Sequence, residues 1–91
     1  MTVIERIRKK IRDGDYEITI PHFFEEMAED DLLLADIETA IANGRIRGKY
    51  TREPRGTRYE IIGTAIDGRD VAVICRFKST GKLLLITTYA D

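Results

Sequence analysis

The chain has 91 residues, 43% of them apolar and 34% charged, with 15 Lys or Arg against 16 Asp or Glu. That length holds one domain, residues 1–91, and the balance of apolar and charged residues excludes a disordered chain. One Cys and one His exclude an internal disulfide, a Cys-rich zinc site and any centre that needs two His ligands.

Val3, Ile4, Ile7 and Ile11 recur at steps of three and four, which predicts a basic amphipathic helix. Asp13-Gly14-Asp15 closes it, with Gly suited to the left-handed position past a helix end. No secretory pattern opens the chain, and no apolar run approaches the ~20 residues of a spanning helix. A cytoplasmic protein with no membrane partner is expected. Tyr16 to Ile20 alternates with period two and predicts a short strand that Pro21 stops. A second helix should run from about Pro21 to Glu29 with Phe23, Phe24 and Met27 inward. A third covers Leu33 to Asn43, buries Leu34, Ile37 and Ile41, and stops at Asn43-Gly44.

Strands follow. Strict alternation over Arg45 to Thr51 puts Arg45, Arg47 and Lys49 on one face, Ile46 and Tyr50 on the other. Arg52 to Thr57 reads as a loop. Arg58 to Ala65 is a strand in which Gly63 marks a bulge or a close backbone approach. Asp67-Gly68 is a hairpin turn, and Val71 to Phe77 reads as a central strand covered on both sides. Leu83 to Tyr89 is the last strand. The fold class expected is α+β: two or three N-terminal helices packed on a twisted antiparallel sheet of about four to five strands. One sheet face should remain at least partly open to a ligand.

Charge is segregated into basic, acidic and basic blocks. Between Asp13 and Gly44 there is no Lys or Arg, and Glu25, Glu26, Glu29, Asp30 and Asp31 read as a solvated helix face and turn. Arg45, Arg47 and Lys49, extended by Arg52, Arg55 and Arg58, form either an ordinary charged strand face or a phosphate-tracking groove. Tyr50, Tyr59 and Tyr89 are half-buried sheet aromatics or stacking surfaces for single-stranded bases. His22, the one side chain that titrates near neutrality by default, either caps the second helix or serves as acid or base toward a 2′-hydroxyl. Cleavage of RNA through its own 2′-hydroxyl needs in-line positioning and charge stabilisation, which Arg and Lys supply without metal or cofactor. Cys75, in the apolar strand, reads as a buried, inert thiol.

Several segments in order resemble a bacterial domain-of-unknown-function family placed in the RelE/BrnT/MqsR-like toxin superfamily. They are Ile18-Thr19-Ile20-Pro21-His22, Asp36 to Gly44, Arg58 to Gly63, Asp67-Gly68-Arg69 and Ile86-Thr87-Thr88-Tyr89. Family members carry Arg four residues after the His and again near the helix end, where this chain has Glu26 and Asp30. Leu33 replaces the hydroxyl residue that caps the third helix. The resemblance implies a RelE-like fold, an mRNA interferase-like endoribonuclease and an antitoxin or other protein partner. On the endoribonuclease reading, His22, Arg47 and Tyr89 are the catalytic candidates, and Arg45, Lys49, Arg58 and Tyr59 the RNA-binding ones. The competing expectation is a non-catalytic protein-binding module of the same fold that uses the charge-segregated surface, with Glu26 and Asp30 facing a cationic partner.

Overall fold

The first helix, α1 (Val3–Arg12), opens at Thr2, whose hydroxyl accepts the Glu5 N–H. It ends at Asp13 and Gly14, the latter at φ +68°, where Gly carries no Cβ penalty. The computed structural model describes all residues, 1–91. After α1 come β1 (Tyr16–Ile18), α2 (His22–Glu29), α3 (Leu34–Asn43), β2 (Arg45–Tyr50), β3 (Arg58–Thr64), β4 (Asp70–Phe77) and β5 (Leu83–Ala90).

The α+β layout is that expected from the sequence, with three helices on a five-stranded sheet of order β1-β5-β4-β3-β2. One pairing differs: β1 runs parallel to β5, so the sheet is mixed rather than antiparallel throughout. Period-two alternation marks a strand but carries no information about a neighbour on the far side of the chain, and Leu83 to Leu85 are that neighbour.

Ile7 and Ile11 of α1, Phe23 and Met27 of α2, and Ile37, Ala40 and Ile41 of α3 are buried against one sheet face. That face supplies Ile61, Val71, Val73, Cys75, Leu83 and Leu85. Burial pushes the Cys75 thiol up to about 12, so it stays protonated and inert. Gly63 is the point of closest approach between layers: a Cβ there would lie 1.9 Å from the Ala40 carbonyl oxygen. This is the close-approach role, not a bulge. The other sheet face carries no helix. β4 is therefore covered on one side only, against the expectation of cover on both, and Ile74 and Arg76 are half-buried on the open side.

β1 reaches only Leu85, and α2 closes the rest of the β5 edge. Thr19 Oγ1 donates to the Ile86 carbonyl at 3.0 Å. Glu26 Oε1 accepts the Thr88 N–H at 3.3 Å, and Asp30 Oδ2 accepts the Ala90 N–H at 2.8 Å. Residues four apart on one helix face thus meet residues two apart on a strand. These acids satisfy donors that a missing strand would otherwise have paired. The expectation of a wholly solvated acidic face is corrected at Glu26 and Asp30, whose carboxylates are structural. Asp36 does similar work: its two oxygens accept Leu33 N–H at 2.9 Å and Ile66 N–H at 3.2 Å. It thereby opens α3 without a hydroxyl cap and ties it to the β3–β4 hairpin.

Candidate functional site

Alternation along β3 and β4 sends Tyr59, Ile61, Val73 and Cys75 toward the helices and Arg58, Glu60, Ile74 and Arg76 to the open face. β2 does not alternate strictly. A register shift between Ile46 and Gly48 sets Arg45 opposite Ile62, but Lys49 opposite Tyr59 and Tyr50 opposite Arg58. Directly opposed residues share a face, so Lys49 falls on the helix side and Tyr50 on the open side. This corrects the expectation of one continuous Arg45/Arg47/Lys49 face. The extra residue in the strand is Arg47, and its side chain reaches across Glu60 toward the end of β5.

There Arg47 meets three acceptors. Its Nε donates to Glu60 Oε1 at 3.1 Å, and its two terminal nitrogens hold both oxygens of Asp91 at 3.0 and 3.1 Å. Tyr89 donates its hydroxyl to Glu60 Oε2 at 2.7 Å and lies 3.5 Å from Arg47 Nη2. The Glu60 side chain is only 11% exposed, so its charge is compensated almost wholly by these two neighbours.

The electrostatics follow from those contacts. The Arg47 guanidinium, then the Tyr89 hydroxyl, hold the Glu60 carboxyl below the usual carboxylate range. Arg47 does the same to Asp91. The Glu60 carboxylate, by accepting the phenol proton, raises Tyr89 above its ordinary value. Arg47 itself is pushed upward by Asp91 and Glu60. At neutral pH the site thus holds an ionised carboxylate, a protonated phenol and a fixed guanidinium within hydrogen-bond reach of one another.

A family model described as "Domain of unknown function (DUF4258)" matches residues 21–90. The chain belongs to this family. The matched segment runs from α2 through β5 and takes in Arg47, Glu60 and Tyr89. No curated protein and no solved structure matches the chain.

In this DUF4258 domain, two of the three catalytic candidates, Arg47 and Tyr89, come together. The third, His22, stands at the start of α2 with its Nε2 3.3 Å from Glu26 Oε1. It makes no contact with the Arg47 cluster, and its side chain is 59% exposed. Of the RNA-binding candidates, Arg45 and Arg58 lie on the open face. Lys49 and Tyr59 do not: Tyr59 packs edge-on against Phe77, which in turn carries Arg6 of α1 over its ring.

Sequence reasoning missed three residues of this face. Glu60 entered only as part of the Arg58 to Gly63 segment of the family resemblance, and Asp91 was given no role. Arg76 had a visible signal: an arginine amid Val73, Ile74, Cys75 and Phe77 must leave through a face that no helix covers. No helix of the domain is long and apolar enough to cross a membrane.

Proposed function

We propose that this DUF4258 domain is a toxin-like endoribonuclease that acts on single-stranded RNA across the open face of its sheet, in the cytoplasm. The observation that carries this reading is the Arg47–Glu60–Tyr89 cluster on an uncovered face. Such a face gives an extended ligand access that a cleft would deny. The membership in the RelE/BrnT/MqsR-like superfamily that the sequence resemblance implies is part of the same proposal.

Glu60, ionised at neutral pH, takes the proton from the 2′-hydroxyl, and the freed oxygen bonds to phosphorus. The bond from phosphorus to the 5′-oxygen breaks, and Tyr89 gives that oxygen its proton. The products are a 2′,3′-cyclic phosphate and a 5′-hydroxyl. Glu60 then returns the proton to Tyr89 across the 2.7 Å contact, which restores both groups. Arg47 turns its fork from the Asp91 carboxylate to the phosphate and stabilises the charge of the pentacovalent state. In this assignment Glu60 takes the base role that the sequence suggested for His22. Arg45, at the near end of β2, extends the cationic field toward the bound strand.

A second reading is a non-catalytic module that holds a protein partner, such as an antitoxin. One observation favours it: the outer edge of β2 pairs with no strand, whereas the β5 edge is closed by α2. The acids first assigned to that partner, Glu26 and Asp30, are engaged with β5, so the edge rather than the acidic helix would carry it.

Brief induction in a bacterial host, with mapping of new RNA ends, separates the two. Cyclic-phosphate ends that vanish in Arg47→Ala and Glu60→Gln support the ribonuclease. A folded wild type that generates no new ends leaves the binding module.

A further inference from the structure

Glu60 lies two residues along β3 from a second arginine group. Continuing the Tyr59–Cys75 register by one residue sets Arg58 of β3 opposite Arg76 of β4, on the same open face. Like charges in directly opposed positions destabilise a sheet unless something neutralises them. Here the neutralisation is partial: Arg58 has one loose ion pair and Arg76 meets no carboxylate. Arg58 Nε is buried without a hydrogen-bond partner, and the carboxylate it faces, Glu53 Oε2, stands 3.8 Å away. Arg76 reaches only the Arg55 carbonyl, through a long 3.4 Å contact. An orphaned buried donor and an arginine pair with a single loose carboxylate partner are both explained by an anion that sits between the two forks.

We propose that Arg58 and Arg76 form a phosphodiester site, separate from the Arg47 cluster, that grips a neighbouring phosphate of a bound polynucleotide. The proposal rests on the RNA reading above and deepens it. Arginine rather than lysine at both positions suits the paired donors to the paired oxygens of a phosphate. The spacing also suits it. Residues two apart on a strand are about 7 Å apart, so Arg58 stands roughly one nucleotide step from the carboxylate that Arg47 holds. Tyr50, opposite Arg58 and 46% exposed, adds a ring on which the adjoining base can stack. The site therefore selects a substrate with a phosphate on the flanking nucleotide, and the protein should act on internal linkages rather than on isolated dinucleotides.

Two measurements test this, and they fail in different ways. In the first, the Arg Nε–Hε resonances of the folded protein are followed while inorganic phosphate is added. Shifts at Arg58 and Arg76 at lower phosphate than at Arg47, whose fork Asp91 occupies, are the expected result. No shift at either residue overturns the site, whatever RNA does. In the second, binding of a fluorescent single-stranded RNA is measured for wild type, Arg58→Gln/Arg76→Gln and Arg58→Lys/Arg76→Lys across a salt series, with circular dichroism to verify each fold. The Gln pair should weaken binding about tenfold and reduce the salt slope by about 1.4, the release expected for two phosphate contacts on a single strand. The Lys pair should restore the slope but not the full affinity. RNA binding with an unaltered slope in the Gln pair overturns the proposal while the ribonuclease reading stands. Phosphate shifts at Arg58 and Arg76 in a protein that binds no RNA overturn the polynucleotide assignment and the ribonuclease reading together.

Discussion

Two arginine groups share the open face of this sheet and are treated oppositely by the fold. Arg47 is held by two carboxylates and lies near a phenol oxygen, and its neighbour Glu60 is almost wholly buried. Arg58 and Arg76 stand side by side with no carboxylate in hydrogen-bond range. The first group is a finished internal network and stabilises the native state. The second costs stability and makes sense as half of an interaction with something else. In the proposed reaction the first group has to open, Arg47 leaving Asp91 for the phosphate, whereas the second has donors to offer without breaking a hydrogen bond to a carboxylate.

The comparison breaks most sharply in activity. Arg47→Ala should lower RNA cleavage by about a hundredfold or more, the scale of losing one charge-stabilising donor, whereas Arg58→Gln/Arg76→Gln should raise the RNA concentration needed for half-maximal cleavage by about tenfold, the loss of two phosphate contacts. Single-turnover cleavage assays on folded variants read both.

In stability the ranking is the same. Glu60→Gln leaves the Arg47 charge without its least exposed partner and should cost about 1–3 kcal/mol in urea unfolding, the usual range for a charged hydrogen bond. The pair Arg58→Gln/Arg76→Gln should be neutral, or stabilising by up to about 1 kcal/mol, because it relieves a cross-strand repulsion. A large destabilisation by that pair would show the arginines to be structural and would dissolve the contrast.

Acid sharpens it further. Glu60 and Asp91 both have their folded pKa depressed, chiefly by Arg47. Their contribution is therefore complete above the ordinary carboxylate values and is lost as pH falls through the depressed ones. Wild type should lose stability over that acidic window. Arg47→Ala should lose less there, and Arg58→Gln/Arg76→Gln as much as wild type, in thermal melts across pH.

The smallest expected effect is at His22. Its partner is Glu26, away from the cluster. His22→Ala should leave the pattern of RNA ends unchanged, and loss of cleavage in a folded His22→Ala protein would return the base role to it.

Much of the fold was legible because it is written locally. Ile4, Ile7 and Ile11 repeat at helical spacing, Asn43-Gly44 stops α3, and Asp67-Gly68 turns the β3–β4 hairpin. What was not legible depends on partners far along the chain. The parallel pairing of Tyr16–Ile18 with Leu83–Leu85 is one case. The register shift at Arg47, which carries Lys49 to the helix side, is another, because a bulge of one residue leaves no mark in an alternating basic strand. Glu26 and Asp30 looked like spare acids until the β5 edge showed its unpaired N–H groups. The cluster itself joins Arg47, Glu60, Tyr89 and Asp91 from three strands and a chain end, and only the first and third stood out by residue type.

The most direct test of the account is the mapping of RNA ends after brief expression of wild type, Arg47→Ala and Glu60→Gln, each verified as folded. The account predicts new cyclic-phosphate ends in wild type that disappear in both variants. New ends that persist in both folded variants would contradict it, and the Arg47–Glu60–Tyr89 cluster would then be a structural clasp and nothing more.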